Sequence, residues 1–284
     1  MTANAITLVV QSPKPLDDAR LSRLVKLTSA SAVERTAPTQ ARLTAANLRL
    51  RAEVADLCHD WSWDAGWMPS AMRFADLGLV VSDMDSTLIT IECIDEIADM
   101  QGLKAHVAAI TERSMRGELD FAASLTERVA LLAGLDASAL DRVYHERLRL
   151  TPGAEALVTA CQRQGVKFML ISGGFTYFTD RLRASLRLDY SHANQLEIRN
   201  GKLTGRVQGR IIDADAKRDL LIETRERLGL APHQVLAVGD GANDLKMLGE
   251  AGIGVAFQAK PVVRAQADAT INAGSLDGLV RLFR

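Results

Sequence analysis

The chain has 284 residues, 48% of them hydrophobic, and a formal net charge of -1 with acids and bases interspersed, enough for a sizeable core in one elaborated domain or two to three smaller units. That balance leaves no basic footprint for nucleic acid or a membrane surface, and Ile6 to Val10 is too short for a secretory signal or a span, so small molecules are the expected partners. Cys58, Cys93 and Cys161 are odd in number and lack paired metal-site spacing, so reduced structural thiols in a cytoplasmic protein are expected.

From the N-terminus, Ile6-Thr7-Leu8-Val9-Val10 reads as a strand, followed by the turn Ser12-Pro13-Lys14-Pro15 and a helix from Asp17 to about Thr28. One or two strands are expected between Ser31 and Leu43, a helix over Asn47 to Trp61, and turns or an edge strand over Trp61 to Ser70. Residues 1–75 are therefore expected to form a small α+β domain.

From residue 76 to the C-terminus the pattern is that of a parallel α/β domain, with strand runs at Leu79-Ser82, Val166-Ile171, Val235-Val238 and Ile253-Ala256. Helices are expected over Gly153 to Gln164, from Phe175 to Leu186, over Ala216 to Leu228, and from Pro261 at a first-turn position. Residues 92–150 carry only helical patterns, Ala105 to Gly117, Phe121 to Ala133 and Ser138 to Leu148, and such an insertion after a strand's carboxyl end is placed to act as a cap. Asn200-Gly201 between Leu196-Arg199 and Lys202-Val207 is a hairpin signal. The fold class expected is a doubly wound parallel sheet with a helical cap insertion and a small N-terminal α+β domain.

Three core strands end in reactive or phosphate-friendly residues: Asp83-Met84-Asp85-Ser86-Thr87, Ser172-Gly173-Gly174, and Gly239-Asp240-Gly241-Ala242-Asn243-Asp244. Each alone is as readily a helix cap or a turn, but three on one sheet edge point to an oxygen-rich site suited to magnesium and an anion. Lys217 falls near a helix start, where the dipole disfavours a cation, so an anionic partner is expected. Phe121, Leu125, Arg128 and Leu132 share one helical face, which leaves Arg128 as either a snorkelling side chain or a clamp on a substrate carboxylate. Glu92 is either a favourable first-turn acid or an overhang of the site. An acid and a base facing one cleft would suit the two charged groups of an amino acid.

Leu79 to Thr87, Met169 to Ser172, Lys217, and Val238 to Asp244 resemble, in order and spacing, the four motifs of the haloacid dehalogenase-like phosphatases. The resemblance covers residue 77 to the C-terminus. It implies that Asp83 attacks phosphorus, that Asp85 protonates the leaving oxygen and later activates water, and that Asp83, the Asp85 backbone carbonyl and Asp240 hold Mg2+. Asn243 and Asp244 would position the phosphate and the water ligands of the metal. The resemblance narrows to the phosphoserine-hydrolysing members, where the positions matching Glu92 and Arg128 take the substrate's amino and carboxylate groups, Met115 and Phe121 are apolar contacts of the cap, and Ser172, Gly173 and Lys217 meet the phosphate. It places the chain at the last step of serine biosynthesis. In some relatives the N-terminal part is an ACT-like regulatory domain, and a homodimer follows by the same likeness. Transfer of phosphate to another alcohol such as homoserine, action on another small phosphate ester, and an amino-acid sensor with a vestigial site are the alternatives.

Overall fold

The computed structural model describes residues 5–116 and 118–284, and of Met115 the backbone alone. Among the described residues, eleven strands make one sheet: β1 (Ile6–Gln11), β2 (Ala32–Ala37), β3 (Gln40–Thr44), β4 (Asp64–Pro69), β5 (Leu79–Ser82), β6 (Lys167–Phe175), β7 (Tyr190–Arg199), β8 (Lys202–Gln208), β9 (Val235–Gly239), β10 (Ile253–Phe257) and β11 (Ala269–Ile271). Their order is β2-β3-β1-β4-β11-β10-β9-β5-β6-β7-β8. The run from β11 to β7 is parallel.

Every residue of β5, β9 and β10 is buried, as a strand covered on both faces requires. Alternation divides them between two cores: Val80, Leu236 and Val255 face one, Leu79, Val81 and Ala237 the other. The crossover helices include Ala154–Gln164, which Gly165 ends in the left-handed conformation at φ 71°, and Ala214–Arg227, capped by the Asp213 carboxylate.

The N-terminal strands and two helices, Asp18–Thr28 and Arg51–Asp60, alternate as strand-helix-strand-strand-helix-strand and bury Leu24, Val54 and Cys58 against Leu8, Val10 and Leu43. The segment expected as turns or an edge strand is instead the interior strand β4, paired antiparallel with β1 on one side and β11 on the other. Gly66 admits the second neighbour: a Cβ there would stand 3.0 Å from that of Ala269. Pro69, at the strand's last position, interrupts no interior pairing.

The insertion between β5 and β6 folds as the helices Cys93–Asp99, Lys104–Met115, Phe121–Ala130 and Ser138–Arg142, the last continuing into a wider turn at Val143–Arg147. The expected helix end at Gly117 lies outside the described residues. Its base is pinned where the chain leaves and returns: the Thr90 N–H donates to the Arg149 carbonyl at 3.0 Å and the Thr151 N–H to the Leu88 carbonyl at 3.0 Å. Asn200 and Gly201 both take positive φ, 51° and 75°, and close the β7–β8 hairpin with Arg199 opposite Lys202, as expected of Asn-Gly. That hairpin buttresses the insertion, since the Gly134 N–H bonds the Leu203 carbonyl at 2.8 Å. No helix among the described residues is long and apolar enough to cross a membrane.

Candidate active site

The carboxyl ends of β5, β6 and β9 meet beneath the insertion, at the edge where open parallel sheets place their sites. Asp83 leaves β5 with its N–H on the Val238 carbonyl at 3.0 Å, so its backbone is registered to β9. The chain then turns through Ser86, a non-glycine residue at φ 55°. The turn aims the Ser86 hydroxyl at Glu92 Oε1 (2.7 Å), and the Thr87 hydroxyl donates to Asp240 Oδ1 (3.2 Å). Such left-handed strain at a carboxylate-bearing turn is held by its surroundings.

Lys217 is wholly buried, and its Nζ donates to Asp83 Oδ1 at 2.6 Å and to Asp244 Oδ1 at 2.7 Å. The anionic partner expected of a lysine at a helix start is thus a pair of carboxylates. Burial alone would drive this ammonium to lose its proton, but Asp244 and Asp83 hold its pKa above the ordinary value. Asp244 also accepts the Gly241 N–H at 3.1 Å through its other oxygen.

Asp85 turns away from that group. Its Oδ1 accepts the Cys93 N–H at 2.8 Å and its Oδ2 the Ser172 hydroxyl at 3.2 Å. The strand β6, expected to end at Ile171, continues to Phe175 with a register shift against β7, and this bulge brings Ser172 to Asp85. The Gly174 N–H, expected to face an anion, is taken by Ser172 Oγ at 2.8 Å. Asn194 on β7, which no sequence pattern singled out, donates to the Gly173 carbonyl at 2.8 Å and accepts the Ile212 N–H at 2.8 Å, fixing the bulge from the far side.

A cavity of about 110 Å³ opens over these groups, lined by Asp83, Asp85, Glu92, Phe121, Leu125, Arg128, Gly173, Asp240 and Asn243, with Ile94, Gly174 and Phe175. Phe121 roofs Gly173, where a Cβ would come within 2.7 Å of the ring. Arg128, half-buried, spends its Nε on the Ser124 carbonyl at 3.2 Å, and the charges of Asp95, Glu92 and Asp85 act on it. Leu132, expected on the same helical face, lies beyond the helix's last residue Ala130 and is buried in the same core cluster as Leu125. The Met115 side chain lies outside the described residues.

Burial and Asp244 push the Asp83 carboxyl well above the usual carboxylate range against the pull of Lys217, and burial pushes Asp85 up as well. Burial, then Asp244, raises Asp240 to about 6. Removal from water, then the Asp85 charge, raises Glu92 to about 7. Asp83, Asp240 and Asp244 each offer an oxygen, all within 4.8 Å of one another. Three ionised carboxylates around one ammonium would carry uncompensated negative charge, which adds to burial in raising Asp83 and Asp240, and an all-oxygen donor set that a cation would relieve is what a hard divalent ion takes. The group therefore fits such an ion. Asp83 and Asp240 of the expected ligands are in it, and Asp244, expected to act on water ligands, supplies its third carboxylate.

A profile described as haloacid dehalogenase-like hydrolase matches residues 77–252, and one for a domain of unknown function matches residues 8–54. A phosphoserine phosphatase of Polaromonas sp. is 54% identical over 218 residues, 75% of this chain and 92% of that protein. Among solved structures, a HAD family hydrolase from Salmonella enterica serovar Typhi shares 33% identity and a TM-score of 0.87 over 98% of both chains. An unliganded probable phosphoserine phosphatase from Vibrio cholerae shares 37% identity and a TM-score of 0.79 over 97% of this chain and 85% of its own. The profile spans every strand end that contributes to the carboxylate cluster, from Asp83 to Asp244, and the chain belongs to the haloacid dehalogenase-like hydrolases.

Proposed function

We propose that the chain is a phosphoserine phosphatase, hydrolysing O-phospho-L-serine to L-serine and phosphate with Mg2+ as cofactor, at the last step of serine biosynthesis. The observation that carries the reading is one cavity lined by Asp83 and Asp85 together with both Glu92 and Arg128. A carboxylate for an ammonium and a guanidinium for a carboxylate suit an amino-acid phosphate better than a sugar phosphate. The identity of its relatives supports the same substrate.

Asp83 attacks phosphorus, and the phosphorus–oxygen ester bond breaks as Asp85 gives its proton to the departing seryl oxygen. Asp85, now a carboxylate, takes a proton from water, whose oxygen attacks the aspartyl-phosphate to release phosphate and restore Asp83. A raised pKa suits Asp85 to the acid role. Lys217 sets the orientation of the attacking carboxylate and offsets charge on the phosphoryl oxygens. Asp83, Asp240 and the Asp85 backbone carbonyl would hold Mg2+, with Asp244 and Asn243 ordering water and phosphate, and the bound ion would supply the remaining charge neutralisation. Ser172 and Gly173 meet the phosphate, and Phe121, which lines the cavity, closes over the substrate.

The strand-helix alternation of residues 1–75 supports an ACT-like regulatory or dimerisation unit and, with it, a homodimer. Three buried free thiols suit a reducing cytoplasm.

The test is phosphate release, with magnesium, from phosphoserine, phosphothreonine and sugar phosphates. Phosphoserine is expected to be preferred, Asp83→Asn to abolish release, and Arg128→Ala to raise KM for phosphoserine by about 10- to 100-fold, the range of a lost charge-assisted hydrogen bond, while flattening selectivity. Full activity in Asp83→Asn, or formation of a new phosphoester when homoserine is added, would overturn the reading.

A further inference from the structure

The face of β7 that carries buried Leu196 also carries Asn194, which is 1% exposed. An amide taken out of water at such a position costs stability that an aliphatic side chain would not, unless its donor and its acceptor both find partners. Here Nδ2 donates to the Gly173 carbonyl and Oδ1 accepts the Ile212 N–H, each at 2.8 Å. A carbonyl can only accept and an N–H can only donate, so these two partners call for one side chain that carries both functions.

The two bonds reach different sides of the site. Gly173 lies in the bulge, between the pairs Ile171–His192 and Phe175–Asn194, where β6 carries more residues than β7. The peptide that joins it to Gly174 is held at both ends, its carbonyl by Asn194 and its N–H by Ser172 Oγ at 2.8 Å, and the same Ser172 hydroxyl donates to Asp85 Oδ2 at 3.2 Å. On the other side, Ile212 precedes Asp213, whose carboxylate caps the helix Ala214–Arg227 through the Ala216 N–H at 2.9 Å and whose carbonyl accepts the Lys217 N–H at 2.9 Å. From that first turn Lys217 Nζ reaches Asp83 Oδ1 at 2.6 Å. Asp83 and Asp85 therefore each have a partner whose backbone is tied to one buried amide.

We infer that Asn194 is a positioning residue of the phosphatase reaction: it registers Ser172 against Lys217, and through them sets Asp85 and Asp83 to the same phosphoryl group. The inference rests on the proposed reaction and adds to it a residue that does not line the cavity. Without the amide, the bulge of β6 and the turn ahead of the Lys217 helix each lose the bond that ties them to β7, and the two are free to drift relative to each other. A drift of that kind weakens the hold on phosphate and leaves the amino-acid end of the pocket, built by Glu92 and Arg128 from the insertion, as it was.

The test follows phosphate release from phosphoserine by the full chain with magnesium, together with competitive inhibition by inorganic phosphate and by L-serine. Asn194→Ala is expected to lower kcat/KM by about 100-fold, the order of a misplacement near 1 Å, and to weaken inhibition by phosphate by about tenfold. Inhibition by L-serine is expected to stay within about twofold of the parent, a split that general loosening of the fold would not produce. In a Ser172→Ala background the same substitution is expected to cost about tenfold or less, because part of its effect passes through Ser172. An undiminished loss in that background, equal weakening of both inhibitors, or Asn194→Ala kinetics within about threefold of the parent would overturn the role of Asn194 and leave the phosphatase standing. A parent protein that hydrolyses neither phosphoserine nor any other phosphate ester would overturn the reaction, and this role with it. Should Asn194→Ala unfold, Asn194→Ser, whose single hydroxyl is too short to span both partners, carries the same comparisons.

Discussion

Glu92 carries the pH dependence of the site. Glu92 is exposed as a residue, yet its carboxyl, held by the Ser86 hydroxyl and lining the cavity, is raised from 4.5 to about 7 by desolvation there and by the Asp85 charge. Only the ionised form attracts a substrate ammonium. With magnesium bound beside Asp240 the carboxyl titrates below the free protein's value, and kcat/KM for phosphoserine is expected to fall by up to about tenfold per unit as pH drops through that range. The same ester lacking the amino group should keep only the part of the limb set by Asp83 and Asp240, and Glu92→Gln should reduce the phosphoserine profile to that part. A phosphoserine profile unchanged in Glu92→Gln would assign the limb elsewhere. The linkage to stability has a definite sign. The unfolded chain releases this proton near 4.5 and the folded chain near 7, so the folded state binds more protons in between. The stabilising contribution is present below 4.5 and lost as pH rises through about 7. Glu92→Gln is therefore expected to melt higher than the parent protein at pH 8, with the difference closing towards pH 4.

At the end of β6, two adjacent glycines face different partners, and alanine at each should produce different kinetics. At Gly173 an added Cβ would stand 2.7 Å from Phe121 Cζ, the far end of a side chain on the insertion. The ring can yield by lifting the cap, so Gly173→Ala is expected to raise KM severalfold with kcat within about twofold of the parent. At Gly174 the Cβ would stand 2.7 Å from Asp85 Oδ2 and 3.0 Å from Ser172 Oγ. That displaces the proton donor, and Gly174→Ala is expected to lower kcat by about 100-fold, the order attributed to general acid catalysis, with KM little changed. Identical kinetic signatures in the two variants would sink this division of labour. The contrast also marks what the sequence could reveal. Asp83, Asp85, Asp240 and Asn243 stand at or just beyond strand ends, where a buried apolar run stops and polar residues begin, and such junctions are legible from local pattern. The bulge that delivers Ser172 to Asp85 depends on the register of β6 against β7 and on Asn194 from the neighbouring strand. A single strand's pattern carries no information about its neighbour's register. The pairing of Lys217 with Asp244, 27 residues away in sequence, is tertiary for the same reason.

At the scale of the whole molecule, the sequence separates two regions that the fold joins. A change of texture near residue 75 was visible because the N-terminal strands alternate and the later ones are continuously apolar. The junction was hidden because β11 is three residues long and β4 carries Trp, Gly and Pro, none of which mark an interior strand. Yet β4 pairs with β11, the Asp64 carboxylate accepts the N–H groups of Asn272, Ala273 and Gly274 at 2.8, 2.9 and 3.2 Å, and buried Arg42 donates to the Leu282 and Phe283 carbonyls at 3.0 and 2.6 Å. Contacts of this kind predict that the first 75 residues unfold as one cooperative unit with the rest, and the chain contains its own probe of that prediction. Its three tryptophans, Trp61, Trp63 and Trp67, all lie in the first 75 residues; Trp63 and Trp67 border the junction, where the Trp63 carbonyl accepts the Asn272 amide at 2.8 Å and the Trp67 backbone N–H donates to the Asp268 carbonyl at 2.9 Å. Far-ultraviolet circular dichroism is dominated by the helices that follow residue 90. Urea unfolding followed by tryptophan fluorescence and by circular dichroism should therefore give coincident transitions. Asp64→Ala strands three backbone N–H groups in a buried site, which costs on the order of 3 kcal/mol or more, and should lower the melting temperature by roughly 5–10 °C in both signals together. Asp64→Asn, which keeps an acceptor oxygen for that nest, should cost less than half as much. A fluorescence transition that precedes the dichroism one in the parent protein would show that the N-terminal unit melts independently, and the continuous sheet would then be a contact between two domains.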